Sequence, residues 1–191
     1  MLAARAADAE GGDYDPRSTA WNGMASFVGL AEGMGFSVTP VTSLEWGELS
    51  SEDILVLIYP IQRVDPGRLG AFVQAGGNVV IADDFGDGKD AMQGLGLLRA
   101  EVDTPRTGKY YDGRPWAPIA TARGDHPLAA DVGEVVTNHP AALTRVGGAT
   151  TVVAPSTRLS AAGWLVTTSP TSAASGWSPR AVAIGAHGRP S

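Results

Sequence analysis

Across 191 residues the chain has no cysteine. That absence excludes disulfides, thiolate zinc sites and cysteine nucleophiles together. It leaves the redox compartment open, because a cysteine-free chain folds alike in oxidising and reducing surroundings. Positive charge is also scarce, with 14 Lys and Arg against 20 Asp and Glu, a net charge of -6 and no Lys/Arg run. A nucleic-acid binder needs a basic footprint to neutralise phosphates, so no nucleic-acid partner is expected. No apolar run approaches the ~20 residues of a membrane span. The longest, Ile54 to Ile61, is interrupted by Tyr59 and Pro60 and reads as a buried strand.

What is present suits a globular domain: 43 % of residues are hydrophobic and 18 % charged, too apolar for disorder. Residues 1–12 read as a disordered, alanine-rich tail or a remnant of upstream processing, and 13–191 as a single α/β domain.

The first half alternates helix and strand signals. After the turn Asp15-Pro16-Arg17-Ser18, with Ser18 or Thr19 as N-cap, Trp21, Met24, Val28 and Ala31 recur at helical spacing. Gly35 ends that helix, and Gly23, Gly29 and Gly33 inside it suggest close approach to a sheet. Phe36–Thr39 reads as a strand, Leu44–Leu49 as a short helix, and Asp53–Tyr59 as a parallel strand covered on both faces. Asp65-Pro66 caps a second helix with the inner stripe Leu69, Phe72 and Val73, stopped by Gly76-Gly77. Asn78–Ala82 is the next buried strand, expected beside Asp53–Tyr59 at the centre of the sheet, and Gly88–Leu95 a further short helix. This alternation predicts right-handed βαβ crossovers and a mostly parallel sheet with helices on both faces, a three-layer α/β fold. From Val102 onward Pro, Gly, Thr and Ala dominate. Strand candidates there are Ala117–Thr121, Glu134–Thr137, Thr151–Ala154, Leu165–Thr168 and Ala181–Ile184, with turns at His126-Pro127 and His139-Pro140. Thr167–Gly176 reads as a mobile loop.

Tyr14-Asp15-Pro16-Arg17-Ser18, Trp21-Asn22-Gly23, Tyr59-Pro60, Gly76-Gly77, Asp83-Asp84-Phe85-Gly86, His126-Pro127-Leu128 and Thr137-Asn138-His139-Pro140 together resemble a bacterial domain family of unknown function. That family looks like the class I glutamine amidotransferase (flavodoxin-like) fold without its chemistry. A true amidotransferase carries a nucleophilic cysteine on a sharp turn after a central strand; here that turn is Asp83-Asp84-Phe85. The resemblance implies the soluble part, on either side of a membrane, of a membrane-anchored bacterial protein. It also implies a final strand and helix after a Gly-Arg, whereas this chain ends Gly188-Arg189-Pro190-Ser191.

Ligands of open α/β sheets bind outside the carboxyl ends of the strands. That rule assembles a candidate crevice from Asp15, Arg17, Asn22, Tyr59, Gln62, Arg63, Asp83 and Asp84. In the competing structural reading, Asp15, Arg17 and Arg63 pair with one another and with loop backbone. Gly86-Asp87-Gly88-Lys89-Asp90-Ala91 fits a relaxed dinucleotide fingerprint, but the acids around it oppose a pyrophosphate, and a tight turn is favoured. Asp83, Asp84, Asp87 and Asp90 lack the order of a calcium loop and read as acids at a helix start. His126, His139 and His187 lack ligand spacing, and no serine elbow occurs, since Gly176-Trp177-Ser178-Pro179 fails at its last position. The expectation is therefore a non-catalytic binding or interaction module without a cofactor or metal, taking a protein partner or a small polar ligand. The alternatives are a metal-assisted hydrolase using Asp83, Asp84 and Arg63, and a purely structural scaffold.

Overall fold

The computed structural model describes residues 13–100, 109–122, 131–146, 151–155, 164–165 and 180–184. Helix and strand mix as the α/β reading requires, and the strands fall into three sheets. The first is parallel and contains β1 (Ser37–Val41), β2 (Ile54–Ile58), β3 (Asn78–Ala82) and β10 (Arg180–Ile184) in the order β1-β10-β2-β3. The second pairs β4 (Leu97–Ala100) with β7 (Ala142–Val146) antiparallel. In the third, also antiparallel, β5 (Ile119–Ala122) lies between β6 (Glu134–Val136) and β8 (Thr151–Pro155), and β8 also pairs with β9 (Trp164–Leu165).

Strand β2 nucleates the core because its five residues, Ile-Leu-Val-Leu-Ile, bury both faces. Leu55 and Leu57 point to one side and meet Leu69 and Phe72 of α2 (Pro66–Gln74) and Ala91 of α3 (Lys89–Gly94). Val56 and Ile58 point to the other side and meet Tyr14 and Met24. Helix α2 starts as expected: the Asp65 carboxylate accepts from the N–H groups of Gly67 (2.8 Å) and Arg68 (3.0 Å), with Pro66 at the first helical position.

Several expectations need correction. β3 is parallel and adjacent to β2, in register Ile54 to Asn78 through Ile58 to Ala82, but it lies at the edge of the described sheet. The central place goes to β10, which comes from the far end of the chain and inserts between β1 and β2. No local pattern can announce so long-range a pairing. The first sheet is therefore parallel throughout, whereas β4 and the strands β5 to β9 of the loop-rich second half pair antiparallel.

The first helix, α1, spans Ala25–Gly33, later than the periodicity from Trp21 suggests. It buries no side chain, so over Val56 and Ile58 the second face is covered by Tyr14 and Met24 rather than by a helical stripe. Gly29 and Gly33 have open space where a Cβ would stand, so they do not serve a close approach. Leu44–Leu49 forms a single 3-10 turn at Trp46–Glu48. The tail 1–12, the whole of Thr167–Gly176, His126, His187 and Trp177 lie outside the described residues.

Candidate functional site

The turn after β3 is organised by one carboxylate. Asp83 Oδ1 accepts from Gly86 N–H at 2.6 Å, and Oδ2 accepts from Gly88 N–H at 3.0 Å and from Arg99 Nη1 at 2.6 Å. Arg99, on β4, also donates from Nη2 to the Gly86 carbonyl at 3.2 Å. The Asp83 side chain is fully shielded and that of Arg99 nearly so, at 14 % exposure. Burial pushes the Asp83 carboxyl above its usual pKa, against the opposing pull of Arg99 and the two amides. The knot requires glycines: a Cβ on Gly86 would stand 2.5 Å from Asp83 Oδ1, and one on Gly88 2.6 Å from Oδ2. The fingerprint-like Gly86-Asp87-Gly88 is thus a cradle already filled by an internal anion, which is why it reads as a turn and not as a pyrophosphate site.

Beside the knot, Tyr14 and Tyr59 stack with ring centroids 5.6 Å apart, both in the left-handed backbone region with φ of 64° and 44°. Tyr59 N–H donates to the Ala82 carbonyl (2.9 Å), and Asp87 N–H to the Pro60 carbonyl (2.7 Å), which binds the two strand ends together. The Tyr14 pKa is raised by burial first and then by the charges of Asp84 and Asp13. Asp84 receives Phe85 N–H at 2.8 Å. Among the described residues it has no cationic partner.

A cavity of about 410 Å³ opens between β3 and the β4–β7 pair. That size lies within the usual range for ligand pockets. Its walls are mainly apolar and include Ile58, Val80, Leu97 and Leu143. The polar lining groups are Tyr14, Asp84, Thr137, Asn138 and the Asp83–Arg99 knot, with Tyr14 close enough to feel the charges of Asp84 and Asp83. Thr137 is held by its own donation to the Pro118 carbonyl at 2.9 Å. His139, two residues on, takes a left-handed φ of 46°, stacks on Trp116 and donates its N–H to the Trp116 carbonyl at 2.7 Å. Of the non-glycine residues with left-handed backbone, Tyr14 lines the cavity, Tyr59 stacks on it, and His139 lies between the lining residues Asn138 and Pro140.

The expected crevice residues divide. Asp83 and Asp84 line the cavity, and Tyr59 supports it through Tyr14. Asp15 and Arg17 form a local lock instead. The buried Asp15 carboxylate accepts from Arg17 N–H at 2.8 Å and lies 3.6 Å from its guanidinium. Asn22 donates its side-chain amide to Asp13, and its carbonyl receives Tyr14 N–H at 2.7 Å. Gln62 and Arg63 line a separate pocket of about 110 Å³ beside Trp46 and Val64. Arg63 pairs with Asp90 at 2.7 Å, largely in solvent. The grouping of Asp83, Asp84 and Arg63 needed for metal-assisted hydrolysis is not brought together. Among the described residues no three His, Asp or Glu side chains converge as a metal site.

Sequence reasoning missed Arg99 and the Thr137–Asn138 wall. A lone arginine in the apolar run Leu97-Leu98-Arg99 was the available signal for the first. Thr137-Asn138-His139-Pro140 carries the family resemblance and a turn at His139-Pro140, neither of which assigns Thr137 or Asn138 to the crevice.

With this geometry established, comparison with family models matches residues 16–189 to a domain of unknown function, DUF4350. Neither the curated proteins nor the solved structures provide a match. No helix among the described residues is long and apolar enough to cross a membrane.

Proposed function

We propose that this chain, which belongs to the DUF4350 family, is a non-catalytic binding module that receives the cationic end of an otherwise apolar ligand at the carboxyl ends of β2 and β3. The observation carrying this reading is the lining of the 410 Å³ cavity: mainly apolar walls with Asp84 beside Tyr14, and Asn138 among the few other polar groups. Asp84 is a carboxylate without a cationic partner among the described residues, so a ligand ammonium or guanidinium would complete it. The group best placed for chemistry, Asp83, is held by three donors, and Asp84 is left as the counter-ion for the ligand. An amidotransferase-like, three-layer frame remains part of the proposal. Its support is the parallel β2-α2-β3 unit and the position of the acidic turn where such enzymes carry their nucleophile.

The test is ligand-observed NMR with phenethylamine and phenylacetate, two probes of similar shape and opposite charge. Phenethylamine is expected to show saturation transfer that Asp84→Asn abolishes, while phenylacetate shows none. Equal signals from both, or none from either, would overturn the reading.

A further inference from the structure

We infer that the occupant of the cavity is an extended peptide segment of a partner, added as a strand to the outer edge of β3 and bearing a basic residue opposite Asp84. This inference rests on the proposed role of the cavity as a binding site and names the class of partner.

Asn78 N–H donates to the Asp53 carbonyl, and the Ala82 carbonyl accepts from Tyr59 N–H. Residues 78, 80 and 82 therefore direct their backbone toward β2. In a parallel strand the alternate residues, Val79 and Ile81, must present theirs on the opposite side. Among the described residues β3 pairs with no strand on that side. The cavity lies along this edge: its walls take Val80 and Ala82 from one face of β3 and Val79 and Ile81 from the other, with Leu97 and Leu143 across the gap.

Edge strands are ordinarily blunted by lysine, proline or a bulge. The sequence Asn78-Val79-Val80-Ile81-Ala82 has neither lysine nor proline, its pairing with β2 is regular, and Val80 is 47 % exposed. A strand laid in the gap would satisfy the free amides and carbonyls and cover Val80. It would also bridge the parallel sheet to the β4–β7 pair. Charge selects the partner. Asp84 and Asp13, whose charges both raise the Tyr14 pKa, make the mouth of the groove acidic. A basic residue on the peptide is attracted there, and an acidic one is repelled.

The test uses the full chain and the fluorescent peptide acetyl-Lys-Thr-Val-Thr-Val-Thr-Lys-amide, measured by polarisation. A Glu-ended analogue and two N-methylated analogues, modified at the odd or at the even amides, complete the set. A strand bound along one edge uses only alternate amides. One methylation register should therefore weaken binding at least tenfold and the other leave it nearly unchanged. The Glu-ended peptide should fail, and Asp84→Asn should remove the preference for lysine. Val80→Lys, at an exposed position where folding tolerates it, should block binding. No peptide binding up to millimolar concentration, equal loss in both registers, or equal binding of Lys- and Glu-ended peptides would overturn the inference. If phenethylamine still binds in an Asp84-dependent way while the peptides fail, strand addition is wrong and the binding-module reading stands. If phenethylamine also fails, both are wrong.

Discussion

Tyr14 and Tyr59 face each other across the junction of the first loop and the end of β2, stacked at 5.6 Å and both with positive φ. Neither residue is glycine, so each left-handed conformation costs on the order of 1 kcal/mol or more and is imposed by its surroundings. Here the restraints are the bonds Tyr14 N–H to the Asn22 carbonyl and Tyr59 N–H to the Ala82 carbonyl. The stack backs Tyr14, which lines the cavity and lies near Asp84.

That proximity predicts a pH effect. Burial, followed by the charges of Asp84 and Asp13, raises the Tyr14 pKa above its ordinary value of 10.0. A group with a raised folded-state pKa contributes stability that is complete below the unfolded value and declines as pH rises through the folded one. Stability should therefore fall above pH 10, less steeply in Tyr14→Phe. Ultraviolet titration of phenolate should show one tyrosine ionising late in the wild type, shifted toward the others in Asp84→Asn. A wild-type chain whose tyrosines all titrate together would contradict this.

Two glycines of one sequence should respond oppositely to alanine. A Cβ at Gly86 would approach Asp83 Oδ1 and lie 2.7 Å from the Pro60 carbonyl, so Gly86→Ala should cost about 1–3 kcal/mol. Gly29 lies inside α1 with open space around it, and Gly29→Ala should stabilise by up to about 1 kcal/mol. Urea denaturation of the two variants measures both signs.

How far the sequence discloses these features depends on the range of the interactions. Short-range signals were readable: Asp65-Pro66 capping α2, Gly35 and Gly76 at positive φ, and the continuous apolar run of β2 buried on both faces. The insertion of β10 beside β2 was not, because it joins segments more than a hundred residues apart and leaves no local periodicity. β4 and β7 also escaped notice; the first has four residues, an arginine and an irregular register between Leu98 and Arg99. The candidate site shows the same division. The acidic turn is legible from its position after a strand, whereas its arginine, Arg99, lies sixteen residues onward on a strand that no local pattern marks.

The outer face of α1 leads to a surface prediction. Trp21, Leu30 and Met34 are 90 %, 64 % and 69 % exposed, and α1 buries no residue. Substitutions there remove no packing, so Leu30→Lys and Met34→Lys should change unfolding free energy by no more than about 0.5 kcal/mol. They should also raise solubility by breaking an apolar patch. A loss of several kcal/mol would mean that this face is covered in solution, which light scattering could examine.

The Asp83–Arg99 pair permits the most demanding test. Removing one member of a shielded ion pair leaves the other charge uncompensated, at a cost of about 3–5 kcal/mol. In Asp83→Ala the N–H groups of Gly86 and Gly88 lose their acceptor as well. Arg99→Ala leaves those two amides on Asp83 and should be the milder change. The double variant should then cost less than the sum of the singles, because once either partner is gone, removing the other also removes an unpaired charge. A double-mutant cycle by urea denaturation reads this difference directly. Asp83→Asn supplies the control, since it keeps the shape and one acceptor oxygen while removing the charge. If the pair is an electrostatic clamp, Asp83→Asn should resemble Asp83→Ala. If the amide bonds to Gly86 and Gly88 dominate, it should recover much of the loss. Strict additivity of the two single alanine substitutions would show that Arg99 and Asp83 do not support each other, and the turn would have to be explained by its glycine amides alone.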